Sequence, residues 1–222
     1  MKPILFSTQM VQALLNTKPN TYPPEPIDAS KPCKGMTRRV IKYDLNDYAD
    51  EGYGAELYVS HTEGGYVTHK TFKPKYQVGD VLWVRETYRC TGFDIDEKTA
   101  CIQYKDEKSN RVKFSDDERF KKYAKCYAGW KPLIHMPREA ARIFLKVRDV
   151  RIERLQDISE QEANDEGAVC IKCKNNTPDC KKCPFEHCFK KLWDSLDARR
   201  GYCWDTNPYV WVYGFEGVNN VQ

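Results

Sequence analysis

The sequence predicts an α+β fold that is mainly β: a β-barrel with short flanking helices. Strand-like runs outnumber helical runs along the chain, and each helical run is short. No regular alternation of strand, helix and strand appears, which argues against a doubly wound parallel sheet. Strands with a few peripheral helices close most simply into a barrel.

Apolar spacing and helix-start signals define the first elements. Residues 4–6 read as a short strand, and Ser7 or Thr8 has a side chain that caps the start of a helix. The inward stripe of that helix is Met10, Val11, Leu14 and Leu15. Five prolines between residues 19 and 32 then predict an extended, irregular connection.

The middle of the chain is polar and contains mostly strand signals. Residues 56–60 and 66–72 alternate weakly around a Gly-Gly pair and predict a hairpin. Residues 81–88 alternate apolar and mixed side chains, as a half-buried strand does. A second weak strand near residues 100–104 and a charged helix over 116–125 complete this part.

The C-terminal part begins with a short helix predicted over residues 137–143, because proline suits the first helical position. In the strand that follows, the apolar parity changes, which predicts a β-bulge near residues 148–149. Helical spacing returns around Trp193. The almost wholly apolar residues 209–215 predict a central strand.

A further helix is predicted over residues 160–166. Ser159 and Glu162 have the spacing of a capping box, and Gly167 is a stop signal. Glu166 then lies at the negative end of the helix dipole, where a carboxylate is disfavoured. Such a carboxylate is a candidate acid or base, although glutamate at a helix end is also commonly without function.

The segment Lys34-Gly35-Met36-Thr37-Arg38-Arg39-Val40, called the basic segment below, places a hydroxyl among three cations. A lysine three residues before a threonine can deprotonate the hydroxyl if burial or neighbouring cations lower the pKa of the amine. Arg38 and Arg39 are such neighbours. The structural alternative is a solvated strand edge, since short basic runs are usually surface.

The composition indicates one folded domain, with room for a small appended module in 222 residues. Charged residues make up 31% of the chain, but 14 Tyr, 9 Phe and 5 Trp provide the apolar bulk that disordered chains lack. The net charge of +4 permits a nucleic-acid partner without requiring one. No run has the length of a membrane helix or a secretory signal, so we expect a cytoplasmic protein that does not bind membranes.

Cysteines are concentrated in two Cys-x-x-Cys pairs, which predict a structural Zn²⁺ site because four thiolates can close a tetrahedron. The expected ligands are Cys170, Cys173, Cys180 and Cys183. The spacer between the pairs is shorter than in common zinc ribbons, so His187 or Cys188 is an alternative fourth ligand. An iron–sulfur cluster and reduced thiols in a flexible loop are the other interpretations.

Longer motifs follow these elements in a fixed order. They are a Thr-Arg-Arg strand, Val-Gly-Asp-Val-Leu-Trp-Val-Arg-Glu, His-Met-Pro-Arg-Glu-Ala-Ala-Arg-Ile, Arg-Leu-Gln-Asp-Ile-Ser-Glu, and Leu-Trp-Asp-Ser-Leu followed by Asn-Pro-Tyr-Val-Trp-Val. In this order the chain resembles the ASCH domain proteins of phages and prophages, which belong to the PUA-like superfamily. The resemblance covers residues 2–18, 34–41, 76–90 and 130–218.

That resemblance implies a PUA-like β-barrel forming a single domain over residues 1–222. Insertions are then expected at 19–33, 42–76 and 91–129, with a Cys-rich metal-binding insertion at 168–188. The superfamily is associated with RNA and modified nucleosides, which are therefore the expected partners. The bacterial host cytoplasm is the expected location.

Some bacterial ASCH proteins are amidohydrolases that remove the acetyl group from N4-acetylcytidine. They use a lysine, a threonine three residues later that is followed by X-Arg, and a glutamate on the later helix. The resemblance thus implies catalytic roles for Lys34, Thr37 and Glu166. Because a Pro-rich insertion precedes Lys34, Lys18 is the alternative counterpart of the lysine.

Two chemical routes are open for these residues. In the first, Thr37 attacks the acetyl carbonyl with Lys34 as its base, and Glu166 carries the proton to the leaving amine. In the second, Thr37 positions a water molecule for which Glu166 is the base. The residues expected to contact the ligand are Arg38, Arg39, Trp130 and Trp204. The alternative function is a non-catalytic RNA-binding or host-interaction module of a phage or prophage, for which RNA binding needs only a basic groove with exposed rings.

Overall fold

The computed structural model describes residues 1–22, 24–25, 27, 34–42, 57–63, 66–124, 129–168 and 185–218. Ten strands and four α-helices lie in these ranges, with short 3₁₀ turns between them. The predicted class, α+β and mainly β, is therefore confirmed.

The largest sheet has five strands in the order β1, β5, β9, β10, β2. These strands are β1 (Lys2–Leu5), β5 (Val81–Arg85), β9 (Phe144–Arg154), β10 (Tyr209–Val218) and β2 (Met36–Val40). β1 pairs with β5 in parallel, and the other neighbours are antiparallel. β10 has a partner on both sides, which confirms the predicted central strand.

The ladder between β9 and β10 contains one irregularity. Gly214 faces Asp149 and the next residue, Phe215, faces Val147, so Arg148 is the extra residue of a bulge. This confirms the bulge predicted at residues 148–149.

Among the described strands, the five-stranded sheet is open, because β1 and β2 lie at its two edges. The closed barrel expected from the sequence is not observed there. The two edges nevertheless approach each other, since Arg39 of β2 donates a hydrogen bond of 3.0 Å to the carbonyl oxygen of Leu5 in β1. A side chain thus joins the edges where a barrel has a backbone ladder.

Two smaller sheets complete the strand content of the described ranges. The predicted hairpin is confirmed as β3 (Leu57–Glu63) and β4 (Tyr66–Phe72). A three-stranded meander consists of β6 (Tyr88–Asp94), β7 (Thr99–Tyr104) and β8 (Ser109–Lys113). Of these three strands, only the middle one, β7, was predicted. β8 has a single buried residue and therefore shows little apolar alternation.

The chain leaves β5 at Glu86, so the single strand predicted here is two strands. The Glu86 carboxylate accepts hydrogen bonds of 2.8 and 2.7 Å from Arg142, whose third nitrogen contacts Asp106 at 2.9 Å. This bidentate contact holds the chain before β9 close to β5. The helix predicted over residues 137–143 is wrong, because only Arg138–Ala140 form a 3₁₀ turn there.

The other predicted helices are confirmed. They are α1 (Thr8–Leu15), α2 (Asp117–Ala124), α3 (Glu160–Asp165) and α4 (Phe185–Asp197). The side chain of Ser7 caps α1, and Ser159 and Glu162 form the complete capping box of α3. Glu166 is the C-cap of α3, one position beyond its last helical residue.

Apolar side chains form cores on both faces of the large sheet and against the meander. One core contains Phe6, Val147 and Phe215 and packs against α1. The core on the other face contains Val212 and Phe189 and joins the sheet to α3 and α4. The basic segment runs between these two cores, which places its side chains alternately on each face.

Candidate functional site

Lys34 lies immediately before β2, and its side chain has no exposed surface. Its amine donates hydrogen bonds to the carbonyl oxygens of Met36 at 2.8 Å and Glu166 at 2.6 Å. A third contact joins the amine to Oε2 of Glu166 at 3.1 Å. These three acceptors match the three hydrogens of an ammonium group. The structure therefore brings together two of the three expected catalytic residues.

Burial lowers the pKa of the Lys34 amine below its ordinary value. Glu166 raises this pKa, whereas Arg39 and Arg38 lower it further. The net direction is the one that a role as base requires. The amine also lies 5.3 Å from the centroid of the Phe6 ring, so it is close to the core on the face opposite Glu166.

Arg38 is buried and bound by three carboxylates. Its Nη2 contacts Oε2 of Glu153 and Oε2 of Glu162, both at 3.1 Å. Its Nη1 lies 3.4 Å from Oε1 of Glu166. The guanidinium therefore binds protein carboxylates, and the expectation that Arg38 contacts the ligand does not fit its position.

A second arginine, Arg151, completes what we call the ionic cluster. It binds Glu153 and Glu162, and also Asp149. Arg38 and Arg151 are both paired with Val212 of β10, so the two guanidinium groups extend from the same face of the sheet. The members of the ionic cluster are Arg38, Arg151, Glu153, Glu162 and Glu166.

Asp165 lies beside this cluster and is 4% exposed. Burial raises the pKa of its carboxyl to about 6, and Glu162 and Glu166 act in the same direction. Its Oδ1 accepts a hydrogen bond of 3.0 Å from Gln161. Its backbone carbonyl accepts one of 2.9 Å from the amide of Gly35, which ties α3 to the basic segment.

The chain that follows α1 covers the outer end of the site. A Cβ atom on Gly35 would lie 2.3 Å from Cγ of Pro24, and one on Gly214 would lie 2.5 Å from the hydroxyl of Tyr22. Only glycine permits such close approach. The same chain is bound to β10 through the amide of Asn20. The Lys34 amine is thus closed to solvent on this side.

Thr37 is 1% exposed, and by strand alternation it faces the side opposite Arg38. The Thr37 hydroxyl is not among the three hydrogen-bond acceptors of the Lys34 amine. Thr37 shares its face with Arg39, whose guanidinium lies 5.7 Å from the centroid of Phe6. Lys34 therefore lies at the edge of the sheet, within reach of both faces.

A cavity of about 550 Å³, called the β2 cavity, opens next to Arg39. In the part of the chain that the structure describes, its lining contains four cations and four aromatic rings and no carboxylate. The cations are Arg39, Lys42, Lys73 and Lys75, and the aromatic residues are Phe72, Tyr76, Trp211 and Tyr213. Tyr213 is paired with Thr37 across the ladder, so the β2 cavity lies on the face of the sheet that Thr37 shares.

The remaining expected residues lie elsewhere. Lys18 is half exposed and forms a surface ion pair of 2.8 Å with Glu25. Trp204 is 6% exposed and packs edge-on against Phe189 in the core beside α4. Trp130 is 38% exposed and is available for stacking, but it belongs to a second cavity on the other side of the large sheet.

The four predicted zinc ligands, Cys170, Cys173, Cys180 and Cys183, lie outside the described residues. Of the two alternative ligands, His187 is exposed and Cys188 is buried beside Phe189. Within the described ranges, no three His, Cys, Asp or Glu side chains are arranged to hold a metal ion.

Sequence reasoning did not single out Arg151, Glu153 or Asp165, and it assigned Glu162 only to the capping box. One signal was available. Asp149, Arg151 and Glu153 alternate along β9, so three charges share one face of the strand, opposite the apolar Val150 and Ile152. Charges in that arrangement require partners from an element packed on the sheet, which here is α3.

Comparison with protein-family models, curated proteins and solved structures gave no match. The resemblance to ASCH domain proteins therefore stays a prediction from the motifs. No helix in the described ranges has the length and apolar character needed to cross a bilayer.

Proposed function

We propose that this chain is an ASCH-type, PUA-like protein that binds RNA or a modified nucleoside and hydrolyses the acetyl amide of N4-acetylcytidine in a bacterial cytoplasm. One observation carries the catalytic part. Lys34 and Glu166 are 132 positions apart in sequence, yet their side chains meet at 3.1 Å in a buried site, and Thr37 is buried on the neighbouring strand β2. These are the residues that the motif resemblance selects.

The reaction consumes water, breaks the amide C–N bond and yields acetate and cytidine. In one route, the Thr37 oxygen adds to the carbonyl carbon as its proton passes to Lys34, the C–N bond breaks as Glu166 delivers a proton to the leaving cytidine amine, and water later hydrolyses the resulting ester. In the other, Thr37 holds the water, and Glu166 accepts its proton and returns it to the leaving amine. Lys34 lies between the Glu166 carboxylate and the face of Thr37, a position that supports proton transfer in the first route.

The β2 cavity supports nucleoside binding on the Thr37 face. Aromatic rings offer stacking surfaces to a base, and cations offer contacts to phosphate. Arg39 links the cavity to the site, because it lines the cavity and lies against the same Phe6 ring as Lys34. Arg39 is thus the residue of the basic segment best placed to contact the ligand.

A second candidate is the non-catalytic RNA-binding module, and one observation favours it. The Lys34 ammonium is fully hydrogen-bonded, and Arg38 is bound by three carboxylates. Nε of Arg38 has no hydrogen-bond partner among the described residues, but such mutual pairing of buried charges is typical of an ionic cluster that fixes the packing of a helix on a sheet. In this reading, the ionic cluster is structural and only the β2 cavity and the exposed rings contact RNA.

We further propose that Cys170, Cys173, Cys180 and Cys183 bind one structural Zn²⁺. The proposal is based on the two Cys-x-x-Cys pairs and the chemistry of thiolate ligands. The metal would stabilise the insertion that connects α3 to α4 and take no part in the hydrolysis.

The experiment that tests the enzymatic proposal measures acetate release from N4-acetylcytidine. We expect wild-type protein to release acetate, and Thr37→Val to lose most of the rate while remaining folded, because valine has the shape of threonine without its hydroxyl. Arg200→Ala, a change at an exposed ion pair far from the basic segment, is the control and should leave the rate unchanged. Folded wild-type protein that releases no acetate would leave the binding module as the function.

A further inference from the structure

A second cavity, called the tryptophan cleft below, lies on the other side of the large sheet. Its volume is about 800 Å³, and it is formed by the end of β5, the start of β6 and the chain from Trp130 to Arg138. β9 and β10 separate β5 from β2, so this cleft is distinct from the β2 cavity. Its size is within the range of ligand-binding cavities.

Hydrogen bonds hold the walls of the tryptophan cleft together. Tyr88 and Lys131 form an isolated β-bridge. Arg85 donates a hydrogen bond of 3.0 Å from Nη1 to the carbonyl oxygen of Ile134. Both walls are therefore anchored to the strands, and the cleft is a preformed feature of the fold.

The lining is strongly cationic. It contains Arg85, Arg119, Lys131 and Arg138, and no Asp or Glu of the described ranges lines it. Arg119 is paired with Glu139 at 2.8 Å, but in the described part of the chain the other three cations have no carboxylate partner. The Nε of Arg85 is buried without a hydrogen-bond partner. An anionic ligand would relieve this uncompensated charge.

Aromatic rings lie among these cations. Trp83 and Trp130 both line the cleft, and the Arg85 guanidinium lies 4.7 Å from the centroid of Trp83. Arg89 and Lys105 lie 5.0 and 3.8 Å from the centroid of Trp130, so the positive charge continues past the end of the cleft. A ligand that follows this path carries more than one negative charge.

We propose that the tryptophan cleft binds single-stranded nucleic acid. A base stacks against Trp130, and successive phosphates contact Arg85, Lys131 and Arg138 and then reach Arg89 and Lys105. Interleaved rings and unpaired cations are the recognition chemistry of single strands, because every base has an aromatic face. The proposal rests on the nucleic-acid binding of the proposed function and on no step of the hydrolysis, and it places strand binding apart from the Lys34 site.

The test is fluorescence anisotropy with a labelled ten-nucleotide uridine strand at several salt concentrations. Base–aromatic stacking of about 1–3 kcal/mol predicts that Trp130→Ala raises Kd about 5- to 150-fold. We expect Arg138→Ala and Lys131→Ala each to raise Kd several-fold and to make the slope of log K against log salt shallower by about one. Arg200→Ala, at an exposed arginine paired with Asp197, is the matched control and should leave Kd unchanged.

Three results would overturn the proposal. They are a Kd within twofold of wild type for both Trp130→Ala and Arg138→Ala, competition by uridine monophosphate as strong as by the strand, and equal competition by an acidic peptide of the same charge. Thr37→Val separates this proposal from the hydrolysis, since it should bind the strand normally even where acetate release is lost. The Kd of a DNA strand of the same length, measured in the same way, shows whether the protein distinguishes ribose from deoxyribose.

Discussion

The three cations of the basic segment have three different environments. Lys34 is buried against Glu166, Arg38 is buried against three carboxylates, and Arg39 lines the β2 cavity. Strand alternation separates the two neighbouring arginines to opposite faces. Substitution of Arg38 should therefore lower stability, whereas substitution of Arg39 should weaken ligand binding. This is the first prediction.

We expect Arg38→Ala to lower the free energy of unfolding by about 3–5 kcal/mol, because it leaves buried carboxylates without their partner. Arg39→Ala should change it by less than about 1 kcal/mol and should weaken ligand binding instead. Urea unfolding and nucleoside titration measure the two effects. Equal stability losses for both variants would contradict the separation of the two faces.

Asp165 gives a prediction with a defined sign. The folded-state pKa of its carboxyl is about 6, above the ordinary value of 3.8, so the folded protein binds the proton more tightly than the unfolded chain does. Its contribution to stability is complete below pH 3.8 and is lost as the pH rises through about 6. Asp165→Asn should therefore become more stable relative to wild type between pH 4 and 7, by about 1–3 kcal/mol.

The control for this measurement is Asp80, whose pKa is lowered despite partial burial because Lys2 and the amide of Gln77 hydrogen-bond to it. The contribution of Asp80 to stability is present above pH 3.8 and is lost as the pH falls, which is opposite to the pH dependence expected of Asp165. Asp80→Asn should therefore show no relative gain in stability between pH 4 and 7. Urea unfolding at each pH measures these free energies of unfolding. If the difference in free energy of unfolding between Asp165→Asn and wild type does not change with pH, the raised pKa of Asp165 is contradicted.

At the scale of elements, helix α3 connects the ionic cluster to the basic segment. Its capping box was evident in the sequence because Ser159 and Glu162 are local neighbours. The contacts of Glu162 with Arg38 and Arg151 were not evident in the sequence, because they join residues of three elements that only the fold brings together. Local signals thus located the helix and its cap, and tertiary packing decided which charges meet.

The insertion that connects α3 to α4 gives the prediction at this scale. We expect about one zinc per chain in purified protein, and we expect the double variant Cys173→Ser, Cys180→Ser to lose it while the sheets stay folded. The reason is that metal binding stabilises the insertion, whereas the described cores are held by their own apolar contacts. Cys101→Ser in β7 is the matched control and should keep the metal.

Metal analysis after anaerobic purification measures this directly. Protein that contains neither zinc nor iron would refute the predicted site. Protein that contains iron in place of zinc would show that the same cysteines bind a cluster.

At the scale of the molecule, two cation-lined cavities lie on a chain whose net charge is only +4. Several buried carboxylates are paired in the ionic cluster and in the Glu86–Arg142–Asp106 contact, and among the described residues neither cavity lining includes an acidic residue. The arrangement concentrates positive potential where a nucleic acid can bind. Composition alone could not show this, because it does not tell which charges neutralise each other.

The sequence predicted the main strands, the four α-helices and the candidate pair Lys34 and Glu166, but it also predicted a helix over residues 137–143 where the structure has a 3₁₀ turn. It placed Trp204 at a binding surface, whereas the ring packs in the core beside Phe189. It did not predict the open sheet, because closure depends on whether β1 and β2 form a ladder, and among the described residues a side chain, that of Arg39, joins them instead. Edge pairing is a long-range property that apolar spacing does not encode.

The proposed cooperation of Lys34, Thr37 and Glu166 is tested most directly by a double-mutant cycle on N4-acetylcytidine hydrolysis. The variants are Thr37→Val, Glu166→Gln and their combination, each assayed at a temperature where its circular dichroism shows a folded protein. If the residues act as one unit, each single change should reduce kcat/KM about as much as the double change does. Fully additive losses, or a Thr37→Val variant with the wild-type rate, would contradict the proposal.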